Sequence, residues 1–194
     1  MNFTKRQIEI IKSATILIGE KGIQNLTTKN LAEKMSFSEP ALYRHFKNKT
    51  EILKSVLLYY KSELKNELSA IINSEITGKE KIKAIIDFQF NHFNKNPAVI
   101  MVIFSETSFQ YDNILSKTVA EIMKQKKAIV DTIILNGQQE NSIRNDIEAS
   151  QLTNIIMGSM RFTILRWRLS NFEKNLIKER NKLWITIETL IKKQ

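Results

Sequence analysis

Residues 26–49, LTTKNLAEKMSFSEPALYRHFKNK, leave room for little besides two short helices around a tight turn. Thr27 or Thr28 can cap the first helix, because each offers a side-chain oxygen to amides that a first turn leaves unpaired, and Leu31 and Ala32 then supply a small apolar face. Met35-Ser36-Phe37 is the turn. Ser38 caps the second helix, Glu39 lies in its first turn where the dipole favours an acid, and Pro40 stands early enough that its missing N–H costs no helical bond. By about Phe46 this helix is over. Two short helices joined in this way form a helix-turn-helix, and the second has the width of the DNA major groove.

The rest of the chain is helical by the same kind of argument. Only five Gly and two Pro occur in 194 residues, so few turns interrupt it, and strand patterns are scarce. Residues 4–20 place Ile8, Ile11, Ala14 or Thr15, Leu17 and Ile18 on one stripe, with Gly22 as the stop. Ile52, Leu53, Val56, Leu57, Tyr60, Leu64 and Leu68 mark a long helix from about Asn48 or Thr50 to about Ser74, and the boundary between two domains, 1–55 and 56–194, falls inside it. Beyond Gly78, helices are expected over Lys79–Asn94, over the apolar run Ala98–Phe104 after Asn96-Pro97, and over Tyr111–Leu135, ended by Asn136-Gly137. The polar loop to Asn145 is expected to be mobile. A helix opened by Asp146 or Ser150 and a final helix through Leu176 and Ile191 complete an all-α chain of about nine helices. Three of them form the N-terminal domain, and a larger helical bundle follows.

The pattern TT-x-x-LA-x-K-x-x-x-S-x-x-x-LYRHF-x-x-K, with EKG at the end of the preceding helix, resembles the TetR family of bacterial repressors over about residues 5–57. That resemblance implies a homodimeric transcriptional repressor with an N-terminal DNA-reading domain and a C-terminal domain for dimerisation and effector sensing. It implies that Pro40, Ala41, Tyr43 and Arg44 face DNA and Leu42 faces the core. It also implies that Lys29 reaches bases or phosphate, and that Thr28, Tyr43, His45 and Lys49 hold phosphates, which fixes register without reading sequence. Ser38 and Glu39 complete the DNA-binding set. Arg44 has the bidentate geometry for guanine, and Pro40 and Ala41 the surface for a thymine methyl. Two positions depart from the family pattern. Ser36 stands where Gly is common, at a strain of about 1 kcal/mol if its φ is positive. Glu39 puts an acid near phosphates, where it must accept from a cytosine amino group or cap its own helix.

Charge agrees with a DNA partner. Residues 1–50 hold nine Lys/Arg against four acids, residues 51–160 twelve against thirteen, and residues 161–194 nine against three, so the net charge of +10 lies at the two ends. Phe88, Phe93, Met101, Phe104, Met123 and Met157 of the central helices either are core or line an adaptable pocket, and the family resemblance implies that a partly apolar small-molecule effector binds there, with Gln89 and His92 to orient it. Leu152, Ile155, Gly158, Ser159 and Thr163 form one face of the second-last helix, and Trp184, Ile187 and Ile191 one face of the last. Two such faces suggest a bundle formed with a second copy. An effector bound among residues 82–165 would swing the helix that starts near Asn48.

Other chemistry has little support. No Cys is present, His45 and His92 lack metal-ligand spacing, and no Ser-His-acid order stands out, so no catalytic residue, metal or cofactor is expected. Neither a signal peptide nor an apolar run of about 18 residues occurs, so the expected location is the cytoplasm, on the nucleoid, and not the membrane. SEPALYRHF followed by KNKTEIL is also similar to TetR-type nucleoid-occlusion regulators, which implies the alternative of a DNA-bound adaptor acting through a protein partner.

Overall fold

The computed structural model describes residues 3–193, the side chains of Leu64, Asn66, Glu106 and Thr107 apart, so the apolar role expected of Leu64 lies outside the described residues. The elements are α1 (Lys5–Lys21), α2 (Thr28–Lys34), α3 (Glu39–Tyr43), α4 (Lys49–Asn73), α5 (Gly78–Lys95), α6 (Pro97–Ile103), the single turn α7 (Glu106–Phe109), α8 (Asn113–Gln139), α9 (Ala149–Leu169) and α10 (Leu176–Ile191). No strand occurs among the described residues. Two compact units result: Met1–Lys65 with Asn96–Ile122, and Asn66–Lys95 with Met123–Gln194. They are not consecutive segments. Residues 96–122 pack with the N-terminal helices.

In the first unit, α1 starts at a capping box in which Thr4 Oγ1 accepts from Gln7 N and Gln7 Oε1 accepts from Thr4 N. It stops at Gly22, whose φ of 80° suits only glycine without strain. Between these ends Ile10, Ile11, Ala14, Leu17 and Ile18 are buried, joined in one core by Leu31, Leu42, Phe46, Ile52, Val56, Val102 and Phe109. Each such Leu or Ile contributes about 1.5–3 kcal/mol on leaving water. Helix α1 packs on α6, closely enough that a Cβ at Gly19 would meet Ala98 Cβ at 2.8 Å. Asp112 draws α8 to α4 by accepting from Thr50 Oγ1 at 2.8 Å, and the amide of Leu115 with this hydroxyl holds its carboxyl below the usual range.

In the second unit, α10 packs against α5 and α9. Ile82, Ile86, Phe90 and Phe93 of α5, Ile133 and Ile134 of α8, and Leu152, Ile156, Ile164, Ile187 and Ile191 of α9 and α10 form its interior. Two expectations are corrected here. Asn136-Gly137 does not end α8, which runs on to Gln139. A Cβ at Gly78 would lie 2.6 Å from Gly137 Cα, so these glycines serve the crossing of α5 over α8. The loop to Asn145 is pinned and not loose. Arg144 N donates to Ile191 O, Gln138 Nε2 donates to the carbonyls of Arg144 and Ile147, and Ile143 is buried. Helix α9 then begins at Ala149, behind Glu148 and not Asp146 or Ser150.

Candidate nucleic-acid interface

The two short helices form as their caps require. Thr27 Oγ1 accepts from Asn30 N at 3.0 Å and Ser38 Oγ from Ala41 N at 3.4 Å, which starts α2 and α3 respectively. Between them Phe37 N donates to Ala32 O at 2.8 Å, and Ser36 takes φ 54°, the left-handed conformation in which a side chain is strained. Leu31, Ala32 and Leu42 are buried, α2 packs on α1 and α3 on α2, and Leu31 and Leu42 enter the same core as the apolar residues of α1. Arg6 of α1 lies 4.5 Å from the Phe37 ring centroid and covers the turn.

What remains outward is a compact set. Lys29, Ser38, Pro40, Tyr43 and Arg44 are exposed, and Thr28, Glu39, Ala41, His45 and Lys49 are half-buried. Several are already engaged. Thr28 Oγ1 donates to Glu39 Oε2 at 2.7 Å and accepts from Tyr43 Oη at 3.5 Å, so the two helices are tied through one hydroxyl. Glu39 therefore neither caps its own helix through its side chain nor stands unpaired before DNA. Thr28 has its single proton committed to the acid, so as a phosphate ligand its hydroxyl would first have to release Glu39. Lys49 Nζ donates to Ile23 O at 3.4 Å, and burial pushes its pKa down. His45 holds α1 through its carbonyl, which accepts from Gln7 Nε2 at 3.3 Å. The spacing of residue types showed who lies on this face. It could not show the tie, because residues 28 and 39 meet only through the turn.

The expected effector residues divide between the units. Met101 packs against the first unit's core and Phe104 is half-buried in the same unit. In the second, the rings of Phe88 and His92 stand 6.2 Å apart and those of His92 and Phe93 5.9 Å, with Gln89 and Met157 half-buried. Phe93 is part of the solid core, and Met123 is 41% exposed, so neither is placed as a pocket wall within its own unit. One residue escaped notice. Lys126 lies on the stripe of α8 that includes Ile122, Val130 and Ile133, and burial depresses its pKa. A lysine at a stripe position was legible; its lack of an acid partner among the described residues was not.

The expected dimer face is altered as well. Leu152, Ile187 and Ile191 are 0–2% exposed inside their own unit, so they have no surface to offer a partner. Ile155 (44%) and Gly158 are outward, Ser159, Thr163 and Trp184 partly so. Phe162 (61%), Leu169 (70%) and Ile185 (64%) were not expected and extend the apolar surface. No group of three or more His, Cys, Asp or Glu among the described residues could hold a metal ion, and no described helix is long and apolar enough to cross a membrane.

Comparison with known proteins places these features. Residues 10–56 match the model for bacterial regulatory proteins of the tetR family, and residues 61–189 the model for the C-terminal region of YsiA-like proteins. The chain is 22% identical over 179 residues to the fatty acid metabolism regulator protein of Bacillus subtilis, covering 92% of this chain and 91% of that protein. It is 27% identical over 191 residues to the nucleoid occlusion factor SlmA of Actinobacillus pleuropneumoniae serotype 5b, covering 96% and 92%. Its fold is that of the transcriptional regulator FadR from Bacillus subtilis, solved in complex with stearoyl-CoA, at a TM-score of 0.82, 22% identity and coverage of 93% and 96%. FadR from Bacillus halodurans superposes at a TM-score of 0.86, with 15% identity and 97% of both chains covered. With a capped, exposed helix-turn-helix inside the residues that the first family model matches, and a second model of the family over residues 61–189, this chain belongs to the TetR family, the DNA-binding transcriptional regulators.

Proposed function

We propose that the chain binds a palindromic operator as a homodimer and leaves it when a ligand with an apolar body and an acidic end occupies the C-terminal helices. The observation that carries the DNA half is the α2–α3 face, on which Pro40, Tyr43 and Arg44 stand exposed while the Thr28–Glu39 bond holds the helices at one angle. Rigid placement matters because two copies must reach successive major grooves about 34–36 Å apart, and a ligand can act only by favouring a conformer with another spacing. Lys29, Lys49 and the local surplus of positive charge supply the affinity, and Arg44 the base preference.

Support for the ligand half comes from two sides. A structural neighbour is a regulator solved with stearoyl-CoA, an acyl chain joined through a thioester to a carrier that bears phosphates. Lys126 is a half-buried ammonium on the stripe of α8 that carries Val130 and Ile133, with no acid partner among the described residues, and a partly desolvated cation of this kind gains from an anionic guest. Genomic footprinting of the purified protein tests the operator. Adding stearoyl-CoA to the footprint tests release, and Lys126→Met separates the two, because it should keep the footprint and lose the response. Protection of single half-sites would count against the dimeric operator, and a Lys126→Met protein released like the parent would remove Lys126 from the ligand site.

Similarity to SlmA supports a second reading, a DNA-bound adaptor that works through a protein partner. It predicts footprints indifferent to every acyl ligand.

A further inference from the structure

The first unit carries an open groove whose lining includes no residue of α2 or α3. Leu58 of α4 and Ile114 and Ile122 of α8 make its floor, and Lys54, Lys61 and Lys117 its rim, around a cleft of about 400 Å³. Lys54, Leu58 and Lys61 are spaced i, i+4, i+7, so the groove follows α4 for about two turns, roughly 10 Å. Ile114 is 53% exposed. Among the described residues none of the three ammonium groups has an ion-pair or hydrogen-bond partner. Glu121 is the single acid in the lining, against three lysines.

Charge and shape together narrow the occupant. Phosphates would be drawn by the lysines but gain nothing from an apolar floor, so a nucleic-acid backbone leaves Ile114 and Leu58 unexplained. A small amphiphile would cover the floor, yet ligand sites enclose about 70–90% of their guest and this groove is open along its length. An amphipathic helix satisfies both features. Its apolar stripe strips water from the floor, acids flanking that stripe meet the lysines, and its back stays in water.

We propose that the α4–α8 groove docks an acidic amphipathic helix of a partner protein. The claim does not depend on the ligand reading above, since every lining residue belongs to the first unit.

The probe is a fluorescein-labelled synthetic helix of about 15 residues, Leu at i, i+3, i+4 and i+7 and Glu on the flanks, titrated with the full-length protein by anisotropy. Saturable binding is expected. Lys54→Glu/Lys61→Glu/Lys117→Glu should weaken it at least about tenfold and should bind instead a peptide with Lys in place of Glu. Ile114→Asn, at an exposed position, tests the floor independently should the triple variant fail to fold. No binding of the acidic peptide by the parent, or equal binding by the parent and the folded variants, overturns the proposal. So does a triple variant whose sole defect is a flatter salt dependence of DNA binding, since the lysines would then be phosphate contacts.

Discussion

Gly158→Leu separates what happens inside one subunit from what happens between two. Within the subunit the change should help. Nothing lies within 4 Å of a Cβ built at Gly158, and its φ is not in the left-handed region, so a side chain enters without strain. Replacing Gly by Leu inside a helix gains about 0.8 kcal/mol of helix propensity, which for a chain of this size raises Tm by about 2–3 °C. Between subunits the sign reverses. Gly158 lies between exposed Ile155 and Phe162 on one face of α9, and a partner helix that approaches there leaves no room for four carbons. Overpacking costs about 1–3 kcal/mol per site, and a two-fold axis presents every site twice. The dimer should weaken by about 2–6 kcal/mol, or from about 30-fold to more than 10⁴-fold in Kd. Sedimentation equilibrium across a range of concentrations reads the second effect. Thermal melting monitored by circular dichroism, at a concentration where the variant is monomeric, reads the first. A dimer of unchanged strength would show that the partner packs elsewhere, and a destabilised monomer would refute the open space around residue 158.

Other consequences follow from single contacts. Ser36→Gly should stabilise the protein by about 1 kcal/mol, measured by chemical denaturation, because Ser36 holds φ 54°; a loss of stability would mean that its side chain contributes more than the strain removes. Arg44→Ala should relax base preference at one operator position by about 1–3 kcal/mol, whereas Lys49→Ala should weaken all sequences alike and flatten the salt slope. Identical binding profiles of these two variants would refute the division of roles. Lys126 has a folded pKa below its unfolded one, so the unfolded chain holds the extra proton between those values and stability rises with pH across that window. Lys126→Met should remove that rise in denaturation midpoints measured toward pH about 10 and should be the more stable protein at neutral pH; equal slopes in parent and variant would place the ammonium in water.

Much of this architecture was legible in the residues because it depends on neighbours in sequence. Thr27 and Ser38 each sit where an unpaired first-turn amide needs an oxygen, and each accepts from one. Period 3.6 marked the apolar stripe of every long helix, and the residue types of positions 28–49 pointed to DNA. Periodicity does not say what covers a stripe. Leu152 and Ile155 lie on neighbouring positions of α9, and only the tertiary packing sends the first into the core and leaves the second in solvent.

Polar groups follow the same division. Gly137 reads as a helix stop, yet it is kept small by Gly78, 59 positions away in sequence. The polar residues after it read as a loose loop, yet Arg144 is tied to Ile191 at the far end of the chain. Glu39 reads as an acid set against phosphate, yet Thr28 takes it up across the turn. Sequence alone determined the helices, the caps of α2 and α3 and the basic reading face, since these rest on interactions within a turn or two of helix. Tertiary structure alone decided which apolar faces are consumed, which glycines are contacts and which charges are already paired, since each depends on groups that only folding brings within a few ångströms.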